Sequence, residues 1–281
     1  MKIISSPKRM QFLSRGLRAR HKRVGFVATM GVLHEGHLRL LRRARQENDV
    51  VVVSIFVNPA QFGPSEDFKR YPRDLKRDSS LCRKEGVDII FSPGVNAIYP
   101  DGYKTYVYVE GLSEELCGRF RKGHFRGVTT IVAKLLNIVS PDIAYFGQKD
   151  AQQAIIIKKM VRDLNMPFAV KIVPTLRSPG GLAFSSRNIY LSRKERSDAL
   201  SLSQSLSLAR SLVKKGLRDT PGIISKMRQL IEKKKSARIE YIAIVDPKEL
   251  HPLKRITDGA MVTLAVRIGK TRLIDNIFIR P

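Results

Sequence analysis

Through its first 175 residues the chain alternates short apolar runs rich in β-branched residues with stretches whose apolar positions recur at helical spacing. That alternation specifies a parallel sheet covered by helices, because each strand is buried on both faces and must be followed by a crossover. Strands are expected at Gly25 to Thr29, Val50 to Val57, Val87 to Phe91, Ile143 to Phe146 and Ala169 to Val173. Helices are expected at His37 to Asn48, Leu75 to Glu85, Val128 to Val139 and Ala151 to Asp163. In the third of these, Val128, Ile131, Val132, Leu135, Leu136 and Val139 form one buried face. Residues 1 to 36 hold a single acid, Glu35, and superficially resemble a transit peptide. Their pattern is structural, however. Lys2-Ile3-Ile4 reads as a strand, Ser6 as a helix cap with Pro7 at the first position, and Met10, Leu13 and Leu17 as one helical face.

After Pro174 the texture changes. A Pro179-Gly180-Gly181 loop precedes helical stretches at Arg193 to Lys215 and Pro221 to Lys235, and strands follow at Ile239 to Val245, Met261 to Ile268 and Arg272 to Ile279. The expected fold class is α/β: a Rossmann-like nucleotide-binding domain over residues 1–175 and a smaller C-terminal α+β domain over 176–281.

At 281 residues and 43% hydrophobic, the chain can bury a sizeable core. Its longest apolar run, Val50 to Val57, is interrupted by Ser54, whereas a bilayer span needs roughly twenty apolar residues, so no membrane partner is expected. Two cysteines, Cys82 and Cys117, fit neither a metal pattern nor a disulfide framework, which points to packing roles and a cytoplasmic location. The net charge of +27 invites a nucleic-acid reading. The cations are spread along the chain, however, on polar helix faces (Arg39, Arg42, Arg43, Arg45) and at a helix end (Lys233 to Lys235). With no zinc pattern and no aromatic RNA-binding signature, no specific nucleic-acid partner is expected.

Two familiar phosphate motifs, GxxxxGK[ST] and a GxGxxG after the first long strand, are missing. A different phosphate site is legible where the strand Gly25 to Thr29 runs into Met30-Gly31 and then His34-Glu35-Gly36-His37 at a helix start. Helix N-termini attract anions, and open parallel sheets bind ligands at their carboxyl edge. His34 and His37 share one face of the first turn and can donate to phosphate oxygens; their spacing is one short of the zinc-protease HExxH.

Three other loops carry suitable groups. Asn58 and Gln61, in Asn58-Pro59-Ala60-Gln61-Phe62-Gly63, could hold a hydroxy acid, or the stretch could be a plain turn. Lys149, in Phe146-Gly147-Gln148-Lys149-Asp150, is a natural phosphate partner or else an exposed charge. Phe184-Ser185-Ser186-Arg187-Asn188 brings together hydroxyls and a guanidinium that can clamp polyphosphate, though Ser and Asn are also ordinary turn formers.

In order and spacing these pieces resemble the pantothenate synthetase (pantoate and β-alanine ligase) family. TMGVLHEGH, VSIFVNPAQFG, YPRDL, GHFRGVTTIVAKLLNIVSPDIAYFGQKDAQQ, GLAFSSRNIYLS and TRLIDN carry the resemblance over nearly the whole chain. It implies an ATP-dependent condensation of (R)-pantoate with β-alanine to pantothenate, in the coenzyme A pathway. The reaction runs through a pantoyl adenylate, releases AMP and pyrophosphate and uses Mg2+, in a homodimer whose C-terminal domain closes over the active site.

By the same resemblance, Met30, Gly31, Val32, Leu33, His34, Glu35, Gly36 and His37 line ATP, with His37 the proton donor. Gly147, Gln148, Lys149, Asp150, Leu176, Phe184, Ser185, Ser186 and Arg187 complete the ATP site. Lys149, Ser185 and Arg187 meet phosphate oxygens. Gln61 meets pantoate and β-alanine, Gln153 pantoate, and Asp78 neighbours magnesium. The chain departs from the family pattern at Ala28, where Pro is usual, and at Ser178 and Gly180, where Glu and Asp are usual. Two competing readings are a nucleotidyltransferase that moves AMP to a phosphate-bearing acceptor, and a basic nucleic-acid-binding protein that retains an inactive synthetase fold.

Overall fold

The computed structural model describes residues 1–64 and 66–281. The elements run β1 (Lys2–Ile4), α1 (Pro7–Ala19), β2 (Val24–Thr29), α2 (Glu35–Glu47), β3 (Val50–Ile55), α3 (Leu75–Lys84), β4 (Ile89–Phe91), α4 (Val95–Ile98), α5 (Cys117–Phe120), α6 (His124–Val139), β5 (Ile143–Gly147), α7 (Ala151–Asp163), β6 (Ala169–Val173), α8 (Arg193–Lys214), α9 (Thr220–Glu232), β7 (Ala237–Val245), β8 (Ala260–Ile268) and β9 (Thr271–Ile279). Single 3-10 turns occupy Pro59–Gln61, Gln148–Asp150 and Ser186–Tyr190.

The first sheet is parallel throughout, in the order β1-β4-β3-β2-β5-β6. The chain starts at the edge strand β1, crosses to β2 near the middle, steps back through β3 to β4 beside β1, then returns to pair β5 on the other side of β2. Right-handed crossovers therefore put α2 and α3 on one face and α6 on the other. Val27, Val51, Val53, Ile90 and Tyr145 pack with Leu38, Leu41 and Ala44 of α2 and Cys82 of α3 in one buried cluster. The reversal between β2 and β5 is a topological switch point, where such sheets open a crevice at their carboxyl ends. Ala28, where the family pattern has Pro, sits in regular register with Ser54.

The second sheet is an antiparallel meander, β7-β8-β9. Its core joins Leu202, Leu206 and Val213 of α8 and Ile223 and Met227 of α9 to Val262, Leu264 and Val266 of β8. Ser192 starts α8 with a reciprocal capping box: its Oγ accepts the Glu195 N–H at 3.3 Å and its N–H donates to Glu195 Oε2 at 2.9 Å.

Two compact units result. The first comprises residues 1–114, 118–147 and 156–174; the second takes 175–281 together with 115–117 and 148–155. Side-chain bonds explain the two transferred pieces. Asn276 of β9 donates to the carbonyls of Gln148 at 3.0 Å and Lys149 at 2.9 Å. Gln152 accepts the Cys117 N–H at 3.0 Å and donates to the Glu115 carbonyl at 2.7 Å. No helix of the described residues is long and apolar enough to cross a membrane.

Candidate active site

The segment after β2 is a wound loop capping a helix. Thr29 Oγ1 donates to the Ser54 carbonyl at 2.8 Å and accepts the Gly31 N–H at 3.2 Å. Gly31 and Val32 then take consecutive positive φ values of 82° and 52°, the second unfavourable for a β-branched residue. Asp78 of α3 holds that shape: Oδ2 accepts the Val32 N–H and Oδ1 the Leu33 N–H, both at 2.8 Å. A Cβ on Gly31 would lie 2.9 Å from Asp78 Oδ2, so only glycine lets the carboxylate approach. Burial raises the Asp78 carboxyl above its usual range, and the two N–H groups oppose that shift.

His34 is the N-cap of α2, with extended backbone at φ −136°, so the helix begins two residues before His37. The His34 N–H donates to His37 Nδ1 at 3.3 Å, and the two rings lie 4.0 Å apart. A nitrogen that accepts an N–H carries no proton, which leaves the His37 proton on Nε2. The first turn of α2 directs its backbone N–H groups to this same end. Two members of the expected ATP lining are engaged elsewhere through their side chains. Leu33 is fully buried in the α2 and α3 cluster, and the Glu35 carboxylate pairs with Arg42 at 3.0 Å. Leu33 can meet a ligand only through its backbone, whereas the Glu35 side chain stays 42% exposed.

The turn after β3 gives the two amides different positions. Asn58 is 1% exposed. Its Oδ1 accepts the Ala60 N–H at 3.3 Å and the Tyr99 O–H at 2.8 Å, and its Nδ2 donates to the Gly127 carbonyl at 3.0 Å and to Gln61 Oε1 at 3.1 Å. The expectation that Asn58 contacts substrate is therefore corrected: every polar atom is taken up inside the protein, and the residue stands behind Gln61. Gln61 is half-buried, with Nε2 3.0 Å from the Met30 sulfur. Its carbonyl accepts from His124 Nδ1 at 2.8 Å, and Arg121, itself paired with Glu66 at 2.6 Å, bonds His124 Nε2 at 2.8 Å. A cleft of about 270 Å³ opens at the carboxyl ends of β2, β3 and β4, lined by Met30, Gly31, Phe56, Arg73, Asp78 and Gly94 among others.

In the second unit, Leu176 and Phe184 meet: the Phe184 N–H donates to the Leu176 carbonyl at 3.2 Å across a short hairpin bridged at Arg177 and Ala183. The hairpin tip is the Ser178-to-Gly181 turn, where the resemblance leads one to expect two carboxylates. Arg177 orders it instead, bonding Asp275 through both guanidinium nitrogens at 2.5 and 2.8 Å and the Gly181 carbonyl at 3.1 Å. Ser185 then caps the 3-10 turn holding Ser186 and Arg187, its Oγ accepting the Arg187 N–H at 3.3 Å. Lys149 and Asp150 lie beside β9 through the Asn276 bonds, and Gln153 is half-buried on the first turn of α7. Gly147 ends β5 in the first unit.

Sequence reasoning missed Tyr99, His124, Asp275 and Asn276, which bond the expected site residues or their direct neighbours. Only the TRLIDN block signalled the last two.

The magnesium assignment of Asp78 does not fit this geometry. Each of its oxygens already accepts a loop N–H, and the side chain is 1% exposed. Among the described residues no three His, Cys, Asp or Glu side chains cluster as metal ligands.

Comparison with known proteins bears on the chemistry of these loops. The family model described as Pantoate-beta-alanine ligase matches residues 2–278. The pantothenate synthetase of Moorella thermoacetica is 56% identical over 260 residues, 92% of each chain. That of a Sulfurihydrogenibium species is 52% identical over 278 residues, 99% of each. The crystal structure of pantothenate synthetase from Thermus thermophilus superposes with a TM-score of 0.94 at 45% identity, covering 100% of both chains. The Francisella tularensis pantoate-beta-alanine ligase, complexed with beta-gamma ATP and beta-alanine, superposes with a TM-score of 0.82 at 34% identity, covering 99% of this chain and 97% of that one. With a match this long and relatives this similar, the chain belongs to the pantoate–β-alanine ligase family.

Proposed function

We propose that the chain joins pantoate to β-alanine at the expense of ATP. A pantoate carboxylate oxygen bonds the α-phosphorus as the bond to the β-phosphate oxygen breaks, and pyrophosphate leaves. The neutral amine of β-alanine then bonds the acyl carbon of the adenylate, AMP departs with the former acyl oxygen, and the amine nitrogen releases its proton. The observation that carries this reading is the family match over residues 2–278, which spans the loop presenting His34 and His37 at the start of α2.

The first step builds negative charge around phosphorus, so donors and cations are the groups it needs. His37 is read as the donor through Nε2, with His34 and the first-turn N–H groups beside it. Lys149, Ser185 and Arg187 are assigned to phosphate oxygens, Gly147 to Asp150, Leu176 and Phe184 to Arg187 to the remaining ATP contacts, and Gln61 and Gln153 to the acid. Confinement of the amine beside the acyl carbon supplies proximity in the second step. Magnesium belongs to this reading as the counter-ion of ATP, held by the triphosphate in place of a protein cage. The reading extends to a homodimer in the cytoplasm.

Incubation with ATP, magnesium, pantoate and β-alanine should yield AMP, pyrophosphate and pantothenate, and omission of pantoate should abolish AMP. AMP at the same rate without pantoate would overturn the proposal.

A further inference from the structure

The Asn58 amide is held by two backbone groups whose polarity cannot change: an N–H from Ala60 facing Oδ1, and the Gly127 carbonyl facing Nδ2. Turning the amide over would set like against like and leave two buried groups unpaired. The Tyr99 O–H adds a second donor to Oδ1 at 2.8 Å. Burial pushes the Tyr99 phenol well above its ordinary range, so that proton stays in place. The ring is gripped edge-on by Tyr103 at 5.0 Å, and the Lys134 ammonium lies 4.2 Å from the Tyr103 ring centre and 5.5 Å from that of Tyr99.

One proton of Asn58 Nδ2 goes to Gly127, and the other points at Gln61 3.1 Å away. The facing atom of Gln61 must therefore be its oxygen, and its nitrogen must face the opposite way. There it lies 3.0 Å from the Met30 sulfur, a weak acceptor that a ligand oxygen can replace. An ordinary glutamine side chain offers either a donor or an acceptor; this one offers a donor alone.

We propose that Tyr99 and Asn58 are positioning residues that lock the Gln61 side chain as a hydrogen-bond donor, committing it to a hydroxyl or carboxylate oxygen of the acid. The assignment of Gln61 to the acid rests on the proposed function; the lock itself does not.

Tyr99→Phe keeps the ring and removes only the O–H. Its expected effect is a rise of roughly three- to tenfold in KM for pantoate, the size of one lost hydrogen bond, with KM for ATP and the thermal midpoint close to wild type. In a Gln61→Ala background the same change should add nothing, because Tyr99 acts through Gln61. A Tyr99 effect that persists undiminished in that background, or an unchanged KM in the single variant, would overturn the proposal. A readout without turnover is the nuclear Overhauser contact between the Gln61 amide protons and the Met30 methyl, expected in wild type and weakened in Tyr99→Phe. Its absence from the folded wild type overturns the lock. Its presence in a protein that makes no pantoate-dependent AMP overturns the proposed function and leaves the lock standing.

Discussion

The carboxylate of Asp78 accepts the backbone N–H of Val32 at 2.8 Å and holds that β-branched residue at a φ of 52°. The second oxygen takes the Leu33 N–H, so one buried side chain fixes two consecutive peptides of the loop between β2 and α2. Asp78→Asn keeps the volume but turns an NH2 group toward one of those N–H donors. The expected loss of stability is about 1–3 kcal/mol, one buried donor left unpaired. KM for ATP should rise about tenfold or more, because displaced groups at a reacting phosphate lose alignment. Urea unfolding and initial rates against ATP check the two effects separately; an unchanged KM with lowered stability would confine Asp78 to the fold.

A second close approach connects α6 to the turn that carries Gln61. A Cβ at Gly127 would lie 2.1 Å from the Ala60 carbonyl oxygen, a backbone atom that can yield only by moving the turn that carries Gln61. Gly127→Ala should cost about 1–3 kcal/mol of stability through overpacking and raise KM for pantoate. Gly123→Ala is the matched control. It sits at φ 78° with nothing within 4 Å of its Cβ, so its cost is the backbone conformation alone, about 1–2 kcal/mol, with KM unchanged. Equal KM values for the two variants would refute the coupling of Gly127 to Gln61.

These two cases mark how far the sequence could be read. The strands β2, β3, β5 and β6 and the buried face of α6 were legible because periodicity is local. The placement of His34 and His37 at a helix start was legible for the same reason, apart from the boundary. There His34 caps α2 without any of the usual Ser, Thr, Asp or Asn signals, and the helix starts at Glu35. The inward bonds of Asn58 were not legible. Its partners Tyr99 and Gly127 lie 41 and 69 positions away, and nothing in NPAQF distinguishes an amide facing a ligand from one facing a carbonyl. The Asp78 oxygens likewise depend on bonds spanning 46 and 45 positions.

At the opposite end of β2, a charge network ties the sheet to α2. Glu47 accepts the Tyr145 O–H at 2.7 Å, pairs with Lys171 at 2.9 Å and also pairs with Arg43. These contacts, the Tyr145 bond foremost, lower its carboxyl from 4.5 to about 2. A carboxyl lowered in the folded state stabilises the protein above its unfolded value, and that stabilisation disappears as pH falls through the folded value. The thermal midpoint of wild type should therefore exceed that of Glu47→Gln by a constant margin above about pH 5.5, roughly one unit above the reference value. The margin should close as pH drops from 4.5 toward about 2. A margin that stays constant across that window would refute the contribution.

Asn276 offers the sharpest test of how the second unit presents Lys149. Its Nδ2 donates to two carbonyls, those of Gln148 and Lys149, at 3.0 and 2.9 Å. Asn276 itself is 2% exposed, so water cannot readily take its place. Asn276→Ala leaves both carbonyls without that donor and should lower kcat/KM for ATP about tenfold, through a looser Lys149 backbone. Asn276→Asp is nearly isosteric yet should be worse, since a carboxylate oxygen would face two carbonyl oxygens and add repulsion to the lost bonds. The expected order is wild type, then Ala, then Asp, in both urea stability and the rate of pyrophosphate release. Supplying preformed pantoyl adenylate separates the steps: if Lys149 acts on the phosphates of ATP, β-alanine transfer from that adenylate should be far less affected. If transfer falls as steeply as adenylation, Asn276 supports the fold of the second unit generally, and its link to Lys149 in the first step is refuted.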